Sequence, residues 1–151
     1  MTMKITRKSD YGLRALYLLA MHYGGDPLSI TQIASAQGIP DPFLEKIMQE
    51  LREAGLIVAA LGRSGGYALS RPPEEISARD LLQALEGPTA LVACLDPNLS
   101  CGIEHNCPTS AFWELLNERF EELLARTSLT DLFQAAPQST EHREPALQGE
   151  R

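Results

Sequence analysis

Two short helical stretches parted by a glycine, with a hairpin directly behind them, constrain this chain most. Ser29-Ile30-Thr31-Gln32 reads as a capping box, with Gln32 three residues after Ser29. Ile30, Ile33 and Ala34 then fall on one side of a helix, and Gly38 can take the left-handed conformation that closes it. Asp41 is the expected N-cap of the next helix, with Pro42 at its first position. Leu44, Ile47, Met48 and Leu51 form its apolar stripe, and Gly55 ends it. Its opposite face presents Glu45, Lys46, Gln49 and Arg52. This spacing predicts a helix-turn-helix.

Leu56-Ile57-Val58-Ala59-Ala60-Leu61 is apolar with a β-branched centre. Gly62-Arg63-Ser64-Gly65-Gly66 is a turn, and Tyr67-Ala68-Leu69-Ser70 returns. A hairpin placed after a recognition helix has the layout of a wing. Upstream, a helix is expected from about Thr6 to Tyr23, striped by Leu13, Leu16, Tyr17 and Ala20 and ended by Gly24-Gly25-Asp26-Pro27. Downstream of Pro72-Pro73, Ser77 caps a further helix that Gly87-Pro88 stops. From Pro108 to Arg126 runs a long amphipathic helix with Phe112, Leu115, Leu116, Phe120, Leu123 and Leu124 on a wide apolar face. That much apolar surface predicts pairing with a second copy. Ser128 to Phe133 adds a last helical turn, and from Pro137 the tail reads as disordered.

The expected class is mainly α with a small β-hairpin wing: a winged helix-turn-helix plus a long C-terminal dimerisation helix. Residues 1–87 read as the DNA-binding domain, 88–107 as a cysteine-rich loop, 108–136 as the dimerisation helix and final turn, and 137–151 as the tail. Charge supports that division. Residues 1–71 hold eight Lys/Arg against six Asp/Glu, whereas 72–151 hold five against fourteen, within a net charge of −7. A mildly basic head and an acidic body suit a DNA reader joined to a regulatory part.

Recognition helices bring N-terminal side chains to base edges in the major groove. Glu45 can accept from cytosine, Lys46 can donate to guanine, and Gln49 can pair with adenine. Arg52 lies on the same face, and Arg63, flanked by Ser64 and Gly65 at the wing tip, can enter a minor groove. The competing reading of these residues is a solvated face of an ordinary helical bundle.

All three cysteines stand in one Pro- and Gly-containing segment, Cys94-x6-Cys101-x5-Cys107. No apolar run reaches the roughly 18 residues of a membrane helix, and no signal peptide opens the chain. A cytoplasmic location is expected, where thiols stay reduced and disulfides are disfavoured. Three readings of the segment are open. A structural zinc site would recruit His105 as a fourth ligand, although the paired Cys-x2-Cys knuckle is missing. Three free thiols could act as redox switches. Three thiolates on one loop also suit an iron–sulfur cluster, of [2Fe–2S] or [4Fe–4S] type, with a fourth position for another donor. No nucleophile–base pair, P-loop or dinucleotide fingerprint points to an enzyme. The rival to a regulator is a redox or metal-carrier protein that uses the helices as scaffold.

The segments Lys8-Ser9-Asp10-Tyr11-Gly12-Leu13-Arg14-Ala15-Leu16, Leu44-Glu45-Lys46-Ile47, Leu51-Arg52-Glu53-Ala54-Gly55-Leu56-Ile57 and Gly65-Gly66-Tyr67-Ala68-Leu69 resemble the bacterial Rrf-type winged-helix regulators, the IscR/NsrR/RirA family. Leu85-Glu86-Gly87-Pro88, the three cysteines and Ser128-Leu129-Thr130-Asp131-Leu132 extend the resemblance over about residues 1–135. It implies a homodimer on a palindromic operator, probed through an iron–sulfur cluster that changes DNA affinity. It also implies a fourth ligand. IscR-like members use a histidine three residues after the last cysteine, where this chain has Ser110. NsrR-like members use an aspartate of the partner's first helix, which matches Asp10. A hard oxygen on iron is more easily displaced than a thiolate. Glu104 and His105 are the alternatives within the loop. Leu61 stands where the family's wing carries Arg, leaving Arg63 to supply the charge.

Overall fold

A computed structural model describes residues 5–62, 65–103 and 106–135. Its elements are α1 (Arg7–Met21), α2 (Ile30–Gln37), α3 (Asp41–Glu53), β1 (Ile57–Ala60), β2 (Gly66–Leu69), α4 (Ala78–Glu86), α5 (Ser110–Arg126) and α6 (Leu129–Ala135). Single 3-10 turns at Pro73–Glu75 and Ala93–Leu95 lie between them. The chain is therefore mainly helical with one antiparallel hairpin, as the pattern predicts.

Local signals set most boundaries. Ser29 and Ser77 each form a complete capping box, with Gln32 and Asp80 as the third residue. Gly38 closes α2 at φ 62°, the left-handed region a side chain disfavours. The start of α3 differs from expectation. Asp41 is its first helical residue and Pro40 is the N-cap, so no side chain caps this end. With Pro42 just inside it, one of the amide groups left over at this end is absent rather than satisfied.

The core is built where α1, α3 and α4 meet. Leu16, Ile33, Leu44, Ile47, Met48, Leu51, Ile57 and Ile76 are fully enclosed, and Leu81 and Leu85 join them from α4. Burying such a side chain contributes about 1.5–3 kcal/mol, so these stripes hold α3 rigidly against α1. Lys8 adds an ion pair across that contact, 3.1 Å from Glu50.

The hairpin pairs Ile57 with Leu69 and Ala60 with Gly66. A short bridge extends it: Leu28 and Tyr67 exchange backbone hydrogen bonds of 3.0 and 2.7 Å. The segment entering α2 thus lies against the wing. Gly66 permits this, because a Cβ there would collide with the Leu28 carbonyl.

Behind the core, Ala78 N–H donates to Thr127 at 2.7 Å and Leu129 N–H to Ile76 at 3.0 Å. These bonds fold α6 back toward α1, where the rings of Tyr17 and Phe133 lie 5.3 Å apart. Helix α5 packs on α4, with Arg79 paired to Glu121, yet Leu124 is its one buried residue. Phe112, Leu115, Leu116 and Leu123 stay exposed, and Phe120 is half-buried. Among the described residues no helix is long and apolar enough to cross a membrane. The tail expected from residue 137 lies outside the described residues.

Candidate functional site

The polar face of α3 stands as its periodicity requires. While Leu44, Ile47, Met48 and Leu51 face inward, Glu45, Lys46, Gln49 and Arg52 are all exposed on the other side of α3. Gln49 donates to Glu53 at 3.0 Å, which orients its amide along the helix. Gly65 is exposed at the wing tip, where its N–H donates to Gly62 at 3.0 Å. Arg63 and Ser64 lie outside the described residues.

The cysteine segment leaves α4 at Gly87 and is pinned before it reaches the first thiol. Thr89 and Ala90 are buried. Leu91 N–H donates to Asn117 on α5 at 3.0 Å. Cys94 sits on the 3-10 turn Ala93–Leu95 and is exposed, while Cys101 and Cys107 are half-buried. Asp96 accepts from the Asn98 amide at 2.9 Å, a turn that reverses the chain between the first two cysteines. Cys107 closes the loop next to α5. Its sulfur lies 3.4 Å from the Thr109 hydroxyl. Hydrogen bonds from that hydroxyl and from the Thr109 amide hold the Cys107 thiol below its ordinary pKa, favouring thiolate.

All three cysteines line one cleft of about 110 Å³, together with Leu95, Ser110 and Glu114. Glu114 was not among the residues expected from sequence. The signal that could have found it is helical spacing, since it lies one turn beyond Ser110 on the same face. Ser110, at the position of the IscR-type histidine, donates its hydroxyl to the Cys107 carbonyl at 3.2 Å. Glu104 and His105 lie outside the described residues. Among the described residues no group of three His, Cys, Asp or Glu side chains is drawn up around a single metal ion. The donor types nevertheless suit a thiolate-bound cluster, since all three cysteines line one cleft.

Asp10 is placed elsewhere in the single chain. It is exposed on α1, paired to Arg14 at 2.8 Å. It lines a separate, largely apolar cavity of about 390 Å³ with Leu13, Arg14, Tyr17, Gln37, Leu132 and Ala135.

A different carboxylate links the loop to the head. Glu86, the last residue of α4, accepts from the Thr6 amide at 3.0 Å, from the Thr6 hydroxyl, and from the Ser9 hydroxyl at 2.6 Å. Thr6 itself provides no side-chain cap for α1, so Glu86 takes that role from 80 residues away. Partial burial opposes its charge, but the hydrogen bonds from Ser9 and Thr6 and the charge of Lys8 outweigh it, lowering the pKa. A lowered folded value means stability that is present above the ordinary 4.5 and lost as pH falls through the folded value. Glu86→Gln is expected to cost about 1–2 kcal/mol at neutral pH. In urea titrations the gap between variant and wild type should narrow as the pH drops below 4.5. A gap independent of pH would show that the charge contributes nothing.

The family described as Rrf2, iron-dependent transcriptional regulator, matches residues 5–135. The protein rrf2 of Nitratidesulfovibrio vulgaris is 39% identical over 134 residues, covering 89% of each chain. The transcriptional regulator CymR of Bacillus subtilis is 34% identical over 130 residues, covering 86% of this chain and 89% of its own. Its solved structure, that of the global cysteine regulator of B. subtilis, superposes with a TM-score of 0.75 at 31% identity, covering 90% of this chain and all of CymR. The structure of T. potens IscR gives 0.69 at 31% identity, covering 92% and 93%. These relatives are regulators rather than enzymes, and the winged helix is their shared architecture. The chain belongs to the Rrf2 family of transcriptional regulators.

Proposed function

We propose that this regulator acts as a homodimeric repressor on a palindromic operator, with its DNA affinity set by an iron–sulfur cluster on Cys94, Cys101 and Cys107. The observation that carries this reading is the convergence of all three thiols on one cleft. When bound, the cluster supplies iron centres that respond to oxygen, nitric oxide or iron supply. The protein's own residues do the rest. Thr109 favours thiolate at Cys107, Asn117 holds the loop against α5, and α3 presents Glu45, Lys46, Gln49 and Arg52 to the major groove. Arg63, Ser64 and Gly65 of the wing meet the flanking backbone or minor groove. Asp10, the fourth ligand that the family resemblance implies, would act across a dimer and would first have to leave Arg14.

Lys46→Ala or Gln49→Ala should relax preference at one base pair per half-site by about 1–3 kcal/mol. Binding should also fall steeply with salt. Anisotropy titrations against a panel of single-base operator variants measure both. Unchanged preference in both variants would remove α3 as the reading surface.

A second reading has its own support. Cys94 is exposed, the Cys107 thiol is shifted toward thiolate, and CymR is a global cysteine regulator. The chain would then be a metal-free thiol switch. Iron and acid-labile sulfide counts on anaerobically isolated protein decide between the two. Stoichiometric zinc without sulfide would sink both.

A further inference from the structure

A large apolar side chain stands in water on the first turn of α3. Phe43 is 64% exposed, while Leu44, Ile47 and Met48 beside it are enclosed. Its N–H donates to the Pro40 carbonyl at 3.1 Å, which fixes the turn that carries the ring. The ring borders a cleft of about 200 Å³ between α1 and α3, whose walls include Arg7, Lys8, Lys46 and Glu50. Three cations stand there against one carboxylate, and Glu50 is paired to Lys8 at 3.1 Å. The positive excess falls to Arg7 and Lys46, both exposed. Lys46 lies one turn beyond Phe43, so the two share a side of the helix. The Lys8–Glu50 pair ties α1 to α3, so Arg7 and Phe43 keep their relative positions.

We propose that Phe43 reads one thymine per half-site through its methyl group, and that Arg7 holds the neighbouring phosphate. The inference rests on the reading above, in which α3 enters the major groove. An exposed ring beside surplus positive charge suits a partner that is apolar and anionic over a short distance. The wall of the major groove is such a partner, because the thymine methyl projects into the groove and the phosphates flank it. The N-terminal side chains of a reading helix are those that reach base edges, and Phe43 is the third residue of α3. A ring against the methyl group separates thymine from cytosine without a hydrogen bond. It adds an apolar contact at the rim of a face that otherwise reads through Glu45, Lys46 and Gln49.

The test uses full-length protein and the operator that it selects from a random duplex pool. Each thymine of one half-site is replaced in turn by uracil, which lacks only the methyl group. Wild type should bind one of these duplexes about fourfold more weakly than its thymine parent, the worth of one buried methylene-sized group. Phe43→Ala should bind that pair of duplexes equally, and Phe43→Leu should keep the difference. The ring is exposed, so neither change opens the core. A merely structural role would weaken both duplexes alike. Arg7→Gln should lower affinity for every duplex and flatten the slope of log affinity against log salt by about one. An unchanged slope overturns the phosphate contact. If no uracil position separates wild type from Phe43→Ala, the thymine contact is overturned, and a Gln49→Ala protein with altered base preference then leaves α3 as the reading helix. Unchanged preference in Phe43→Ala and Gln49→Ala alike overturns both.

Discussion

Leu116→Glu is expected to convert the protein to a monomer and to abolish operator binding. Leu116 is 42% exposed in the single chain, beside Phe112, Leu115 and Leu123, which are 53–61% exposed. A monomer rarely leaves such a contiguous apolar face to water. In the proposed dimer the same patch meets itself across a two-fold axis, so one substitution introduces two carboxylates into the seam. An uncompensated buried charge costs about 3–5 kcal/mol, which weakens association by about a hundredfold to a few thousandfold. The chain itself should stay folded, because α5 contributes only Leu124 to the interior. Leu124→Glu makes the contrast: at 8% exposure it should unfold the chain rather than merely separate two copies. Light scattering gives the mass, and circular dichroism separates dissociation from unfolding. Operator affinity falls because each head reads only one half-site. A wild type that is already monomeric at micromolar concentration would refute the dimer, as would a Leu116→Glu protein that stays dimeric.

What could be read from the sequence was what the chain specifies within a few residues. Ser29 with Gln32, Ser77 with Asp80 and Gly38 act on their own helices, and each behaves as its type demands. The stripe Leu44, Ile47, Met48, Leu51 likewise fixes which face of α3 is left exposed. The α3 start was misplaced by one residue because Asp at a helix start serves equally as cap or as a first-turn charge. Contacts between distant segments left no local trace. Glu86 reads as an exposed carboxylate at a helix end until Thr6 and Ser9 are seen to surround it. Leu28 reads as a loop residue until it pairs with Tyr67. Clustering in sequence was enough to bring the three cysteines to one cleft, because a short loop has little room to separate them. Glu114 enters that cleft only through the packing of α5, which no spacing rule within the loop contains.

Single replacement of Cys94, Cys101 or Cys107 by alanine should remove most of the iron and sulfide and lock operator affinity at its apo value. Each thiol lines the same cleft, so in the proposed site only two thiolates would remain, a set too weak to hold a cluster against buffer. The effect on DNA follows from where the loop is attached. Its entry, Gly87, directly follows Glu86, whose carboxylate caps α1 through Thr6 and Ser9. Lys8, between those two residues, is paired to Glu50 on α3, the proposed reading helix. Its exit runs into α5, the proposed dimer helix. Ordering the loop can therefore bias both the position of each head and the spacing between heads. A connected set of contacts is not itself coupling; the coupling is the difference in operator affinity between apo and holo protein. The usual size for such coupling is about 1–3 kcal/mol, a change of roughly 5- to 150-fold. Anaerobic anisotropy titrations at one fixed salt concentration measure it, since phosphate contacts make affinity depend on salt. Wild type should show the difference, and the three alanine variants should not. Equal affinity of apo and holo wild type would leave a bound cluster with no regulatory role.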